Sequence, residues 1–166
     1  MKLHVRHVFP CTMPTFWQMF WDEDYDQLLM DAAQVTRSML WDRTQGDRRL
    51  WRMRFVPNQD LPSMVAKAVG TKKLVYEQDN NLDAAAGIME WEVFPAVVPD
   101  KVTSKGIMKV HATSRGVERV VDGRIDVRIP LIGGRIERAI HKSVMTSYER
   151  AYDVSLQWLD TRGLRI

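Results

Sequence analysis

The sequence predicts an α+β chain in which a strongly curved antiparallel sheet wraps around one long C-terminal helix. Three observations carry that expectation. The 166 residues, 45% of them hydrophobic, suffice for one substantial core and one domain spanning 1–166. Seven segments show the period of two of a strand, six of them in succession between residues 35 and 129. Only the segment after Pro130 sustains an apolar stripe at helical period, over roughly 28 residues. A meander of strands with one apolar face needs a cover, and that helix is the one element long enough to provide it.

The elements follow in order. Residues 2–9 place Leu3, Val5, His7 and Phe9 on one face and Lys2, His4, Arg6 and Val8 on the other. Pro14 suits a first helical turn with Thr12 as its cap, and a short aromatic helix (Phe16, Trp17, Phe20, Trp21) runs to about residue 22. A second short helix over 24–33 has acids in its first turn. Strands are expected at 35–44 and 48–57, joined by a hairpin at Gln45, Gly46 and Asp47. Residues 57–70 break the pattern with a short helix. Further strands are expected at 72–79, 87–94, 102–114 and 117–129, the fourth with Leu74 and Tyr76 turned inward. In the last helix Ile136, Ala139, Ile140, Val144, Tyr148, Ala151, Tyr152, Leu156 and Leu159 form the stripe, and a stop is expected near Gly163.

Composition excludes several classes. No apolar run approaches a membrane span, and residues 1–7 alternate as no secretion signal does. The single Cys11 rules out an internal disulfide framework and fits a reducing, cytoplasmic setting. Although the pI is about 9.1, 24 basic against 21 acidic residues leave only +3. Basic residues alternate with acids, as in Arg124, Asp126 and Arg128, the pattern of a wet strand face and not of a nucleic-acid groove. A weak pull toward anionic lipid surfaces is compatible with that charge.

The segment Gly123-Arg124-Ile125-Asp126-Val127-Arg128-Ile129-Pro130-Leu131-Ile132-Gly133-Gly134-Arg135-Ile136-Glu137 joins the last strand to the last helix. With the order of elements over the whole chain, it resembles the START/Bet v 1-like superfamily (the polyketide cyclase or SRPBCC superfamily). The junction itself is similar to an uncharacterised bacterial branch, the DUF2505-type proteins. The resemblance implies the helix-grip fold and a cavity between sheet and helix for an apolar or amphipathic ligand. Read physically, Pro130 ends the ladder, and Gly133 and Gly134 let the backbone turn close to a neighbour. Gly133-Gly134 lacks the rest of a phosphate-binding fingerprint.

Parity places the mouth of such a cavity. In an antiparallel meander alternate connections lie at one end. The connections at 57–71, 95–101 and 130–134 share an end and carry Leu61, Met64, Val65, Val97, Val98, Leu131 and Ile132. These are expected at the rim, the alternative being loops that seal the core. The inward set is Trp51, Met53, Phe55, Tyr76, Met89, Trp91, Val93, Met108, Val110, Ile125 and Val127, facing Ile136, Ile140, Val144 and Tyr148. It is either plain core or cavity wall. Met suits an adaptable wall, and Trp and Tyr each bring a polar handle. Strand 35–44 is ambiguous: if the Met39 and Trp41 face is inward, Arg37 anchors a polar group at the cavity; if not, its stem snorkels past the edge.

No catalytic residue, cofactor or metal set is predicted. His4 and His7 fall on opposite strand faces, and neither His111 nor His141 has a ligand partner at metal spacing. Cys11 lacks the context of a nucleophile, and Glu77, Glu90 and Glu92 fall on the wet face. The expected function is binding or transport of a lipid or other hydrophobic small molecule, with transient membrane contact. The alternatives are a cyclase- or aromatase-like enzyme using the same cavity, and an interaction module whose interior is filled by its own side chains.

Overall fold

The computed structural model describes residues 1–166. Strand β1 (Lys2–Phe9) leads into α1 (Met13–Phe20) and α2 (Glu23–Ala33). Then follow β2 (Val35–Gln45), β3 (Arg48–Pro57), α3 (Ser63–Val69), β4 (Tyr76–Asp83), β5 (Ile88–Pro95), β6 (Val102–Thr113), β7 (Gly116–Val127) and α4 (Gly133–Thr161), with a 3-10 turn at Pro99–Lys101. The sheet order is β1-β7-β6-β5-β4-β3-β2, all antiparallel. Strands β2 to β7 thus form the meander, and β1 returns to pair with β7. This is the helix-grip architecture.

Local chemistry explains the helix starts. Thr12 accepts a hydrogen bond from the Thr15 amide at 3.3 Å and caps α1, with Pro14 in the first turn. Asp22 caps α2 by accepting from the Tyr25 amide at 2.8 Å, and Glu23, Asp24 and Asp26 favour its positive end. At the start of α4 only one of the two glycines is obligatory. A Cβ on Gly133 would sit 2.5 Å from the Val127 carbonyl oxygen, whereas one on Gly134 would meet only the Arg138 guanidinium, at 3.7 Å.

Three expectations need correction. The fourth strand is Tyr76–Asp83, not 72–79, so Leu74 precedes it. Asn80, Asn81 and Asp83 are poor strand formers, but pairing with β3 on one side and β5 on the other overrides their preference. In β2 a bulge lies between Met39 and Trp41, so these residues do not share a face. Arg37 and Met39 pair with the inward Phe55 and Met53, while Trp41 pairs with the outward Arg52. Finally, the buried stripe of α4 includes Ser155 and Trp158, and Ala139 is exposed.

The interior is divided. One buried cluster centres on the β1 and α1 side and includes Leu3, Val5, Phe9, Phe16, Met19, Trp51, Leu82, Trp91, Val121 and Trp158. A second, made of Val102, Ile125, Val127 and Ile136, lies at the end from which α4 starts. Helix α4 makes its main approaches to α2, β7 and β1.

Candidate ligand-binding interior

The inner face of the sheet follows from the register. Phe55, Met53 and Trp51 on β3 pair with Tyr76, Gln78 and Asn80 on β4, which pair with Pro95, Val93 and Trp91 on β5. Ser104, Gly106, Met108 and Val110 on β6 continue the face to Ile125, Gly123, Val121 and Arg119 on β7, and Arg119 pairs with His7 on β1.

The residues expected to line a cavity divide into two groups. Trp51, Met89, Trp91, Met108, Val110, Ile125, Val127 and Ile136 are buried. Arg37, Met53, Phe55, Tyr76, Val93, Ile140, Val144 and Tyr148 are half-buried although they belong to faces turned toward the interior. Met39 is corrected: at 46% exposure on edge strand β2 it lines no enclosed space. At the far end Val65, Val98 and Ile132 pack on the second buried cluster, so three loops converge there. Leu61 and Val97 are half-buried beside them, and Met64 and Leu131 project into solvent, Leu131 wholly. Val98 and Leu131 hold φ of +48° and +67°, conformations disfavoured for side chains of their kind.

Polar groups run across the middle of this interior. The Arg119 guanidinium is buried and lies over the rings of Phe9 at 4.9 Å and Tyr148 at 5.4 Å. Its Nη2 donates to His7 Nδ1 at 3.1 Å, and His7 Nε2 donates to Glu149 at 3.3 Å. The ring of His7 stacks on Tyr152 at 4.5 Å. Burial, followed by the charge of Arg119, holds the His7 imidazole below its ordinary value. Tyr76 stacks on Phe55 at 4.8 Å, and burial pushes its phenol up to about 12. Burial raises Tyr148 and Tyr25 as well. These phenols stay protonated near neutrality. Tyr25 donates to Ser155 at 2.7 Å, because Ser155 donates its own proton to the Ala151 carbonyl at 2.7 Å. Gln78 donates to Asn80 at 2.7 Å. Arg37 forms an ion pair with Asp26.

Three buried donors have no partner: Arg37 Nε, Arg119 Nε and Trp91 Nε1. Sequence reasoning named Arg37 and Trp91 but missed Arg119, Gln78 and Asn80. The signal was present, since Arg119 shares parity with Val121, Ile125 and Val127, and Gln78 and Asn80 with Tyr76. The interior holds no group of three or more His, Cys, Asp or Glu side chains able to share a metal ion. Cys11 is buried, and burial pushes its thiol up to about 11. On the opposite face of the sheet an open concavity of about 690 Å³ is lined by Trp41, Arg43, Arg52, Asp79, Glu90 and Glu92. There Arg52 donates to Asp79 at 2.7 Å and to Glu77 at 3.3 Å, as expected of a solvated face.

A seven-stranded antiparallel sheet closed on a long C-terminal helix, with partly buried apolar walls and donors inside it, defines the class as a helix-grip fold. Residues 4–159 match the family model described as "Protein of unknown function (DUF2505)", and the chain belongs to that family. No curated protein matches. Among solved structures, TTHA0849 from Thermus thermophilus is similar at a TM-score of 0.65 and 14% identity, covering 95% of this chain and 98% of that one. The Zhui aromatase/cyclase from Streptomyces sp. R1128 is similar at 0.63 and 11%, covering 98% and 96%. Ara h 8.0201 is similar at 0.62 and 7%, covering 95% and 98%. At such identities the likeness is one of fold.

No helix is long and apolar enough to cross a membrane.

Proposed function

We propose that this protein binds a hydrophobic small molecule or lipid in the interior between the sheet and α4, and carries it. One observation carries the reading. The side chains on and between the two buried clusters (Met53, Phe55, Tyr76, Val93, Ile140, Val144 and Tyr148) face inward yet are only partly buried. A filled core of the same composition would bury them. The adaptable methionines and the aromatic walls suit a ligand of variable shape. The converging loops around Leu61, Met64, Val65, Val97, Val98, Leu131 and Ile132 form its entrance, where exposed Met64 and Leu131 touch a membrane surface transiently. A cytoplasmic setting accords with the free Cys11 thiol.

Native mass spectrometry of the chain purified without delipidation tests this. A co-purifying apolar molecule, or uptake of one by the delipidated chain with tryptophan quenching, is the expected result. Absence of both across fatty acids, sterols and phospholipids sinks the carrier. Val97→Asp should slow transfer between vesicles with little loss of stability; if it unfolds the chain, the loop is a seal and not an entrance.

A second reading, a cyclase- or aromatase-like enzyme, is favoured by the polar strip of Arg119, Tyr148, Tyr76 and Gln78. The Zhui protein and the di-domain aromatase/cyclase StfQ have the same fold. Turnover of a polyketide-like substrate, lost in Tyr148→Phe with binding retained, would establish it over a carrier.

A further inference from the structure

We propose that the ligand of this interior is an amphipathic molecule with a carboxylate head, and that Arg119 is its anchor, assisted by Tyr148. The inference rests on the reading that the interior binds a small molecule, and specifies which chemistry it selects. Arg119 is only 9% exposed, and its Nε–H meets no acceptor in the protein. A buried cation lacking a carboxylate partner is costly to desolvate, so folds that keep one commonly supply its counter-charge.

This fold does not supply one inside. Asp26 is committed to Arg37. Glu149 lies out on the surface, 62% exposed, and bonds to His7. Glu118, the residue before it on β7, points to the other face and holds Arg6. The inward hydroxyls nearest Arg119 carry no charge: that of Tyr148, which burial keeps protonated, and that of Tyr25, already used on Ser155. The His7 Nδ1 lone pair, two ring faces and the more distant charge of Glu149 give Arg119 partial compensation, with no carboxylate in direct contact.

The strip is therefore short of one acceptor and one negative charge. A carboxylate supplies both, since its two oxygens can take two donors of an arginine fork or one arginine and one phenol. The Arg119 guanidinium lies over the Tyr148 ring, so these two donors border one region. The half-buried Met53, Val93, Ile140 and Val144 extend from that region toward the second buried cluster and the loops. A carboxylate at Arg119 thus sends an apolar tail along an apolar path. A neutral lipid would leave the guanidinium unpaired.

Matched fluorescent probes test the charge separately from the cavity. We would titrate the full chain with 1-pyrenebutyrate and 1-pyrenebutanol, which share an apolar body and differ in carboxylate against hydroxyl. Hydrogen bonds to charged groups predict a preference of about tenfold or more for the carboxylate. Arg119→Met, similar in length and uncharged, should erase that preference and leave the alcohol within about threefold of the original chain. Tyr148→Phe, which keeps the ring, should weaken the carboxylate alone by about three- to tenfold. It also serves as the test if Arg119→Met does not fold. Equal binding of the two probes overturns the carboxylate anchor while leaving the cavity standing. A preference that survives both Arg119→Met and Tyr148→Phe does the same. Binding of neither probe overturns the cavity itself.

Discussion

The inner face of the sheet depends on how Trp91 is seated. Gly106 on β6 and Gly123 on β7 oppose one another, and Trp91 pairs with Gly106 across β5 and β6. The indole therefore lies over a strip of sheet without side chains. A Cβ at position 123 would stand 2.8 Å from the indole Cζ2, 3.1 Å from Cη2 and 3.0 Å from the Lys105 carbonyl oxygen. Carbons in contact sit at about 3.5–4.0 Å, so the ring would have to retreat by roughly 0.5–1 Å in a close-packed region. Overpacking of this kind costs about 1–3 kcal/mol. In a chain of this length that lowers Tm by roughly 2–4 °C per kcal/mol. Gly106→Ala should cost more, since its Cβ would also meet the Asp122 carbonyl oxygen at 2.3 Å, a backbone atom of the ladder. The assay is urea denaturation followed by far-UV circular dichroism, in the original chain and in Trp91→Leu. Leucine places nothing over position 123, so most of the Gly123→Ala cost should vanish there, a coupling of about 1–2 kcal/mol. The cost of Gly106→Ala should largely persist. If Gly123→Ala is harmless in the original chain, or equally costly in both backgrounds, the indole is not what the glycine accommodates.

Two further outcomes follow from buried hydrogen bonds. Ser155→Ala should destabilise by about 1–3 kcal/mol by leaving the Tyr25 hydroxyl without an acceptor, and the Tyr25→Phe/Ser155→Ala double variant should recover part of that loss in thermal melts. A double variant as unstable as the sum of both singles contradicts this. For His7 the folded state disfavours the proton because of burial and Arg119, against the opposing pull of Glu149 and Asp153. The unfolded chain then binds more protons below about pH 6.5. The stability contributed by His7 is complete above that pH and is lost as pH falls through the lower folded-state value. His7→Phe, which keeps the stack on Tyr152, should flatten the stability change below about pH 6.5; an unchanged slope removes His7 as its source.

The periodicities made the helix-grip order legible, and parity correctly assigned the ends of the meander. What escaped was the consequence of pairing. Asn80 and Asn81 look like turn residues, yet between β3 and β5 they are mid-strand, so the expected turn moved toward Ala84 to Gly87. The bulge after Met39 reverses parity inside β2, and no local residue pattern announces it. The same bulge decides the ambiguity over Arg37: with Trp41 turned outward, Arg37 pairs with inward Phe55 and meets Asp26 of α2. Arg119 is a different kind of omission. It sits at inward parity among Val117, Val121, Ile125 and Val127, and a search for hydrophobic periodicity passes over it as an interruption. Yet an apolar residue in its place would avoid the cost of desolvating a guanidinium. Periodicity identifies the face that folding buries; the polar residue set into that face at a cost to folding is where a requirement other than folding has to be sought. On this sheet that argument selects β7 and Arg119 ahead of the inward methionines and tryptophans, because those would be expected in the wall of a filled core and of a hollow one alike.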